Sequence, residues 1–270
     1  MRITVLIDNE TRSDLLSEWG LSFHIAYGGR TYLLDAGASG AFAENAAALG
    51  LDLAAVDDAV LSHAHNDHAD GLDTFFARNT AAPCWLRASC AEDCYDRTDE
   101  GWSYAGPRPG LLAQWADRLR YVDGDVSLAP GVWLVPHRTP GLERIGERGR
   151  MFRKRPGGWV PDGFDHEQSL VFETEGGLVL FNSCSHGGAD NIVREVAATF
   201  PGRPIRAILG GFHLFETPAD EVRAFAERLR DTGVGTVVTG HCTGAAAYQI
   251  LAEVLGDRLA PLYSGRVLDL

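Results

Sequence analysis

Short apolar runs, spaced by glycine and polar residues, set the order of elements along the chain. Residues 3–7, 21–27 and 31–34 are rich in β-branched and aromatic residues, and Gly28-Gly29 between the last two predicts a tight hairpin turn. Residues 42–49 are alanine-rich and end at Gly50, the pattern of a helix with a glycine stop, and 56–61 returns as a buried strand. The second half echoes this order. Residues 169–174 and 178–181 predict strands about Glu175-Gly176-Gly177, followed by a helix over 191–200 and a strand over 205–209. Residues 220–230 have helical spacing with Pro218 near their start, 234–239 predicts a strand, and 245–255 a last helix. Two similar halves of strands and helices follow, each offering loops at one edge of a sandwich. Together they make a single α+β domain over residues 1–270.

Residues 138–168 interrupt the pattern. They are rich in Gly, Arg and Pro with little periodicity, and read as a long excursion or lid. Within residues 138–155, seven basic residues, Arg138, Arg144, Arg148, Arg150, Arg153, Lys154 and Arg155, stand against Glu143 and Glu147. This is either a solvated surface loop or a clamp for an anionic substrate group.

Charge narrows the partners. The formal net charge of −13 argues against nonspecific binding to nucleic acid or anionic membranes, both of which need clustered positive charge, and favours a small-molecule substrate. Arg2 and Asp8 arrive too early for a secretory apolar region or a membrane span, so a cytoplasmic protein is expected. Five cysteines, an odd number, fit reduced thiols better than a disulfide framework.

The run Ser62-His63-Ala64-His65-Asn66-Asp67-His68 packs three imidazoles and a carboxylate into six positions, a composition that transition metals bind and cores avoid. In an extended segment His63 and His65 face the same way and suit one metal. Asp67 and His68, on the following turn, can reach a second.

H-x-H-x-D-H after a buried strand resembles the signature of the metallo-β-lactamase superfamily. Asp35-Ala36-Gly37 resembles that family's upstream Asp-x-Gly turn, and His241, after the strand at 234–239, its last ligand histidine. The resemblance implies a four-layer αββα sandwich with the metals at one edge. It places His63 and His65 on the first metal and Asp67, His68 and His241 on the second. The expected cofactor is therefore two divalent ions, zinc first, with iron and manganese as alternatives. Most members carry a bridging aspartate where this chain has Asn182-Ser183-Cys184-Ser185-His186. His186 is the leading additional ligand there, with Asp165, His166 or Glu167 next. The runs Cys184-Ser185-His186-Gly187-Gly188, Gly210-Gly211-Phe212-His213-Leu214 and Gly240-His241-Cys242-Thr243-Gly244 are similar to one subgroup. It is named for enzymes that join a dihydropterin pyrophosphate to ribofuranosyl-aminobenzene phosphate.

The remaining candidates take lesser roles. His213 is expected to contact negative charge developing on the substrate, and Asp67 to hold and orient the nucleophile; these two form the catalytic pair. Asp35 is expected to orient loops or a ligand histidine. His24 and His137 are given no role. Cys84, Cys90 and Cys94 lack paired C-x2-C spacing and read as ordinary thiols, while Cys184 and Cys242 adjoin predicted ligands. Hydrolysis of a small anionic, phosphate-bearing molecule by metal-activated hydroxide is the leading activity. A synthase displacing pyrophosphate and a metal-holding ligand sensor are the alternatives.

Overall fold

Alternation along the buried strands decides the architecture of the computed structural model, which describes residues 1–270. In Gly177–Phe181, Leu178 and Leu180 join one core while Val179 and Phe181 join another. Leu33 and Leu34 part in the same way at the end of Arg30–Leu34. A strand buried on both faces needs a layer on each side. Two such sheets pack against each other around a central core, and helices cover their outer faces.

The first sheet runs, in spatial order, Val267–Asp269, Arg2–Ile7, Ser22–Tyr27, Arg30–Leu34, Asp58–Val60, Cys84–Arg87 and Leu119–Val122. The second runs Leu259–Pro261, Thr236–Thr239, Ile205–Gly210, Gly177–Phe181, Gln168–Thr174, Val132–Pro136 and Val126–Ala129. Each sheet is antiparallel on one side and parallel on the other. Helices Ala41–Ala48 and Leu72–Arg78 supply Phe42, Ala46, Leu72 and Phe75 to the outer core of the first sheet. Ala189–Thr199, Ala219–Asp231 and Ala245–Leu255 supply Ile192, Phe225 and Leu251 to that of the second. The cores hold 23, 19 and 21 buried residues, so no layer is a thin covering and the αββα expectation holds.

The excursion differs from its expectation: it is folded. Glu143–Arg148 is a helix, and Met151–Arg155 and Gly158–Pro161 pair with Cys94–Thr98 and Gly101–Tyr104 in a third, four-stranded sheet. Trp102 on one edge strand of that sheet stacks on Trp159 on the other at 3.8 Å, an aromatic contact that helps hold the small sheet together. Periodicity assigns no element between residues 69 and 137, where two of these strands and four of the main-sheet strands are short. No helix is long and apolar enough to cross a membrane, and all five cysteines are free and buried.

Candidate metal centre

The parallel strands of both sheets end at a common edge, and the chemistry-bearing residues follow those ends. Asp35 follows Arg30–Leu34, His63 and His65 follow Asp58–Val60, and Cys184 and His186 follow Gly177–Phe181. His213 follows Ile205–Gly210, and His241 follows Thr236–Thr239. Four of the six non-glycine residues with positive φ belong to these turns: Asp35 (58°), Ser185 (52°), His213 (47°) and His241 (49°). Such backbone persists only where the surroundings hold it, and it concentrates at working sites. Gly211 belongs to the same crowding, since a Cβ there would stand 2.5 Å from Cys242 Sγ.

Two groups of donors converge. The rings of His63, His65 and His186 form a triangle with centroids 4.6, 4.8 and 5.0 Å apart. Beside it, His68 Nε2 lies 3.2 Å from His241 Nε2, and Asp67 Oδ2 lies 3.5 and 3.4 Å from those two nitrogens. Ligands held about 2.0–2.1 Å from a tetrahedral ion are roughly 3.3 Å apart, so this second triangle already has the size of one coordination face.

Second nitrogens are tied down. Asp35 accepts from His68 Nδ1 at 2.8 Å, Asn9 Oδ1 from His241 Nδ1 at 2.9 Å, and Ser62 Oγ from His63 Nδ1 at 2.7 Å. Asp35 also accepts from the Ser62 N–H and hydroxyl, at 2.7 and 2.6 Å. Each anchored ring turns its Nε2 toward the centre, as outer hydrogen bonds do for ligand imidazoles. His63 Nε2 and both His186 nitrogens are buried with no hydrogen-bond partner. Orphaned buried nitrogens are costly, and a cation would satisfy them.

Electrostatics agree with the geometry. Burial, with His68 and His65 beside it, holds His63 well below the ordinary imidazole range, and burial brings His65 down to about 3 and His186 well below as well. Three neutral imidazoles, ready to donate lone pairs, result. On the other side burial opposes charge, yet Asp67 and Asp35 hold His68 up at about 10. That half is built to attract positive charge.

The family model for the metallo-beta-lactamase superfamily matches residues 20–241, more than half of the chain. The chain belongs to the metallo-beta-lactamase superfamily. A crystal structure of a metal-dependent hydrolase of that superfamily is similar over 100% of this chain and 99% of its own, at 31% identity and a TM-score of 0.82. The 7,8-dihydropterin-6-methyl-4-(beta-D-ribofuranosyl)-aminobenzene-5'-phosphate synthase of Methanocaldococcus jannaschii is 26% identical over 82% of this chain and 77% of its own length. Zinc-bound PqqB of Methylobacterium extorquens shares the fold over the full length of both chains, at 14% identity and a TM-score of 0.58.

Of the alternatives to His186, Asp165 and Glu167 are engaged elsewhere, while His166 stands in a compact donor group with His65, Cys94 and Asp162. Asp165 is 60% exposed and ion-paired with Arg153. His166 accepts the Ala64 N–H on Nδ1 at 3.0 Å and turns Nε2 to Asp162 at 3.0 Å. Glu167 bonds His137 and accepts the backbone N–H groups of His186 and Gly187 at 3.1 and 3.3 Å, so it holds the loop that carries His186. His137, given no role from sequence, sits between Glu167 and Glu195. Burial works against its charge, but the two carboxylates raise it to about 9, while Glu195, also against burial, falls to about 2. The imidazolium therefore stabilises the fold fully below about pH 6.5 and loses that contribution as pH rises through about 9. Glu195 adds stability above about pH 4.5 that is lost as pH falls toward 2. The stability gap between wild type and His137→Gln should be widest near pH 5–6 and close by about pH 9–10 in denaturant titrations. A gap independent of pH would remove the charge from this account.

His213 reaches the site's rim. Its ring centroid lies 4.4 Å from that of His186, and its Nδ1 has no partner. A cleft of about 130 Å³, walled by Trp19, His65, Asp67, Asp96, Cys184 and His213, opens over the donors. It shares Met151, His186, His213 and Phe215 with a cavity of about 650 Å³ that holds Arg148, Arg150, Arg194 and Arg228. The basic stretch read from sequence thus contributes only Arg148 and Arg150 to the cavity. Arg153 is buried against Asp93 and Asp165, Arg155 pairs with Asp93, and Arg138 with Asp125. Arg194 and Arg228, both paired with Asp190, come from helices whose local pattern gives no such signal.

Proposed function

We propose that this protein is a dinuclear-metal-dependent hydrolase acting on a small anionic, phosphate-bearing molecule. The observation that carries the reading is the pair of donor groups, with the unpartnered nitrogens of His63 and His186, facing a cleft continuous with an arginine-lined cavity. His63, His65 and His186 would hold one ion, and Asp67, His68 and His241 the other. Two divalent ions in such a site lower the pKa of water and offset negative charge on the reacting centre. The residues do the rest. Asp35, Ser62 and Asn9 fix the ring orientations, Asp67 orients the nucleophile, and the His213 ring stands where it can donate to an oxyanion.

Elemental analysis of protein purified without added metal should find about two equivalents of zinc, iron or manganese, followed by turnover of a phosphoester, lactone or pyrophosphate. Stoichiometric metal with no turnover across these classes would favour a ligand sensor instead. Arg148 and Arg150 are half-exposed or more, so each should contribute modestly: alanine at either position should raise KM about three- to tenfold and leave kcat unchanged. Equal KM for charged and uncharged substrates in both variants would separate the arginines from recognition.

A second reading follows from the synthase of Methanocaldococcus jannaschii. An organic pyrophosphate would be held by the same donors and arginines, and an aromatic carbon of a second substrate would displace pyrophosphate. Its mark is consumption of the pyrophosphate only when the aminobenzene partner is present.

A further inference from the structure

We propose, on the hydrolase reading above, that Asp96 is a catalytic residue of this site, the acid that gives a proton to the leaving oxygen of the substrate. Asp96 belongs to Cys94–Thr98, the strand of the third sheet that pairs with Met151–Arg155 on one side and Gly101–Tyr104 on the other, and it stands opposite Met151 and Ser103. Side chains alternate along a strand, so Asp96 shares a face with Cys94. Cys94 Sγ lies within 4.8 Å of a donor nitrogen of His65. That face is therefore turned to the centre, and Asp96, Met151 and His213 all wall the cleft over the donors.

No donor of the protein bonds the Asp96 carboxylate, and it belongs to none of the compact metal-binding groups. A free carboxylate on the wall of a cleft that takes an anion repels it when ionised and donates to it when protonated. Burial pushes this carboxyl above the ordinary carboxylate range; of the charged groups that face it, His213 opposes the rise, while Asp67, Glu216 and Asp162 add to it. A bound phosphate brings one more negative charge and favours the proton further. The chemistry balances. A water oxygen bonds to phosphorus and sheds its proton to solvent as the bond from phosphorus to the leaving oxygen breaks. The electron pair stays on that oxygen, the Asp96 O–H proton joins it, and the product departs as an alcohol. The Asp96 carboxylate then takes a proton back from water in the cleft, so the sum is ester and water to phosphate and alcohol.

Phenyl phosphate and p-nitrophenyl phosphate, offered to the metal-loaded full-length protein, test this, because p-nitrophenolate departs readily without a proton and phenolate does not. Asp96→Asn should keep its metal content and circular dichroism, lose roughly 10²-fold or more in kcat on phenyl phosphate, and lose less than about tenfold on p-nitrophenyl phosphate. Wild-type kcat on phenyl phosphate should fall as rising pH deprotonates the acid, a limb that Asp96→Asn lacks, and Asp96→Glu should recover part of the rate. Equal losses on the two esters overturn the proposal, as does a rise in KM alone or the loss of metal from a folded Asp96→Asn. Wild type that binds metal and turns over no phosphoester would overturn the hydrolase reading, and the acid with it.

Discussion

Replacing His65 with alanine should leave a folded protein that has lost turnover, by a factor on the order of 10³ or more, together with much of its metal. The backbone role of the residue survives the change: its carbonyl still accepts the N–H groups of His68 and Ala69, at 3.2 and 3.1 Å, at the start of Asn66–Ala69. What disappears is one corner of the His63, His65 and His186 triangle. Circular dichroism, metal content and rate should therefore separate, the first unchanged and the other two collapsing. Retained activity in a metal-depleted His65→Ala protein would take the chemistry away from this centre.

Asp35→Ala should do damage of another kind. It strips acceptors from the Ser62 N–H, the Ser62 hydroxyl and His68 Nδ1, in a place where Asp35 and His68 side chains are fully buried. Leaving a buried partner uncompensated costs about 3–5 kcal/mol, and loosening the anchor of a ligand imidazole costs about 10- to 100-fold in metal affinity or activity. Both losses should appear together in denaturant melts and metal titrations. A stable Asp35→Ala protein with unaltered metal affinity would show that the His68 ring is positioned by packing alone.

Legibility in the sequence followed distance along the chain. The candidate ligand run from His63 to His68 is contiguous, and alternation plus a glycine stop revealed most of the long strands and helices, so fold and half of the candidate centre could be read locally. His186 and His241 were legible because each follows a strand that ends at the same edge. The anchoring contacts were not: Asn9 meets His241 across 232 positions and His137 meets Glu167 across 30. Nothing in the local pattern of either residue marks them. The sheet formed by residues 94–104 and 151–161 was missed for a related reason. Its strands are four or five residues long and half-exposed, and its stability comes from contacts such as Trp102 on Trp159 rather than from an alternating buried face.

The convergence of turns from both halves has a thermodynamic consequence. His63, His65, Asp67 and His68 come from the first sheet's loops and His186 and His241 from the second's, so ions bound here would tie the two sheets at one edge in a way the unfolded chain cannot reproduce. Occupancy then couples to folding as any native-state ligand does: at one hundred times the dissociation constant it adds about 2.7 kcal/mol to the unfolding free energy. Melting temperature and resistance to proteolysis would accordingly rise and fall with free metal concentration, with the αββα edge opening first when the ions are withdrawn.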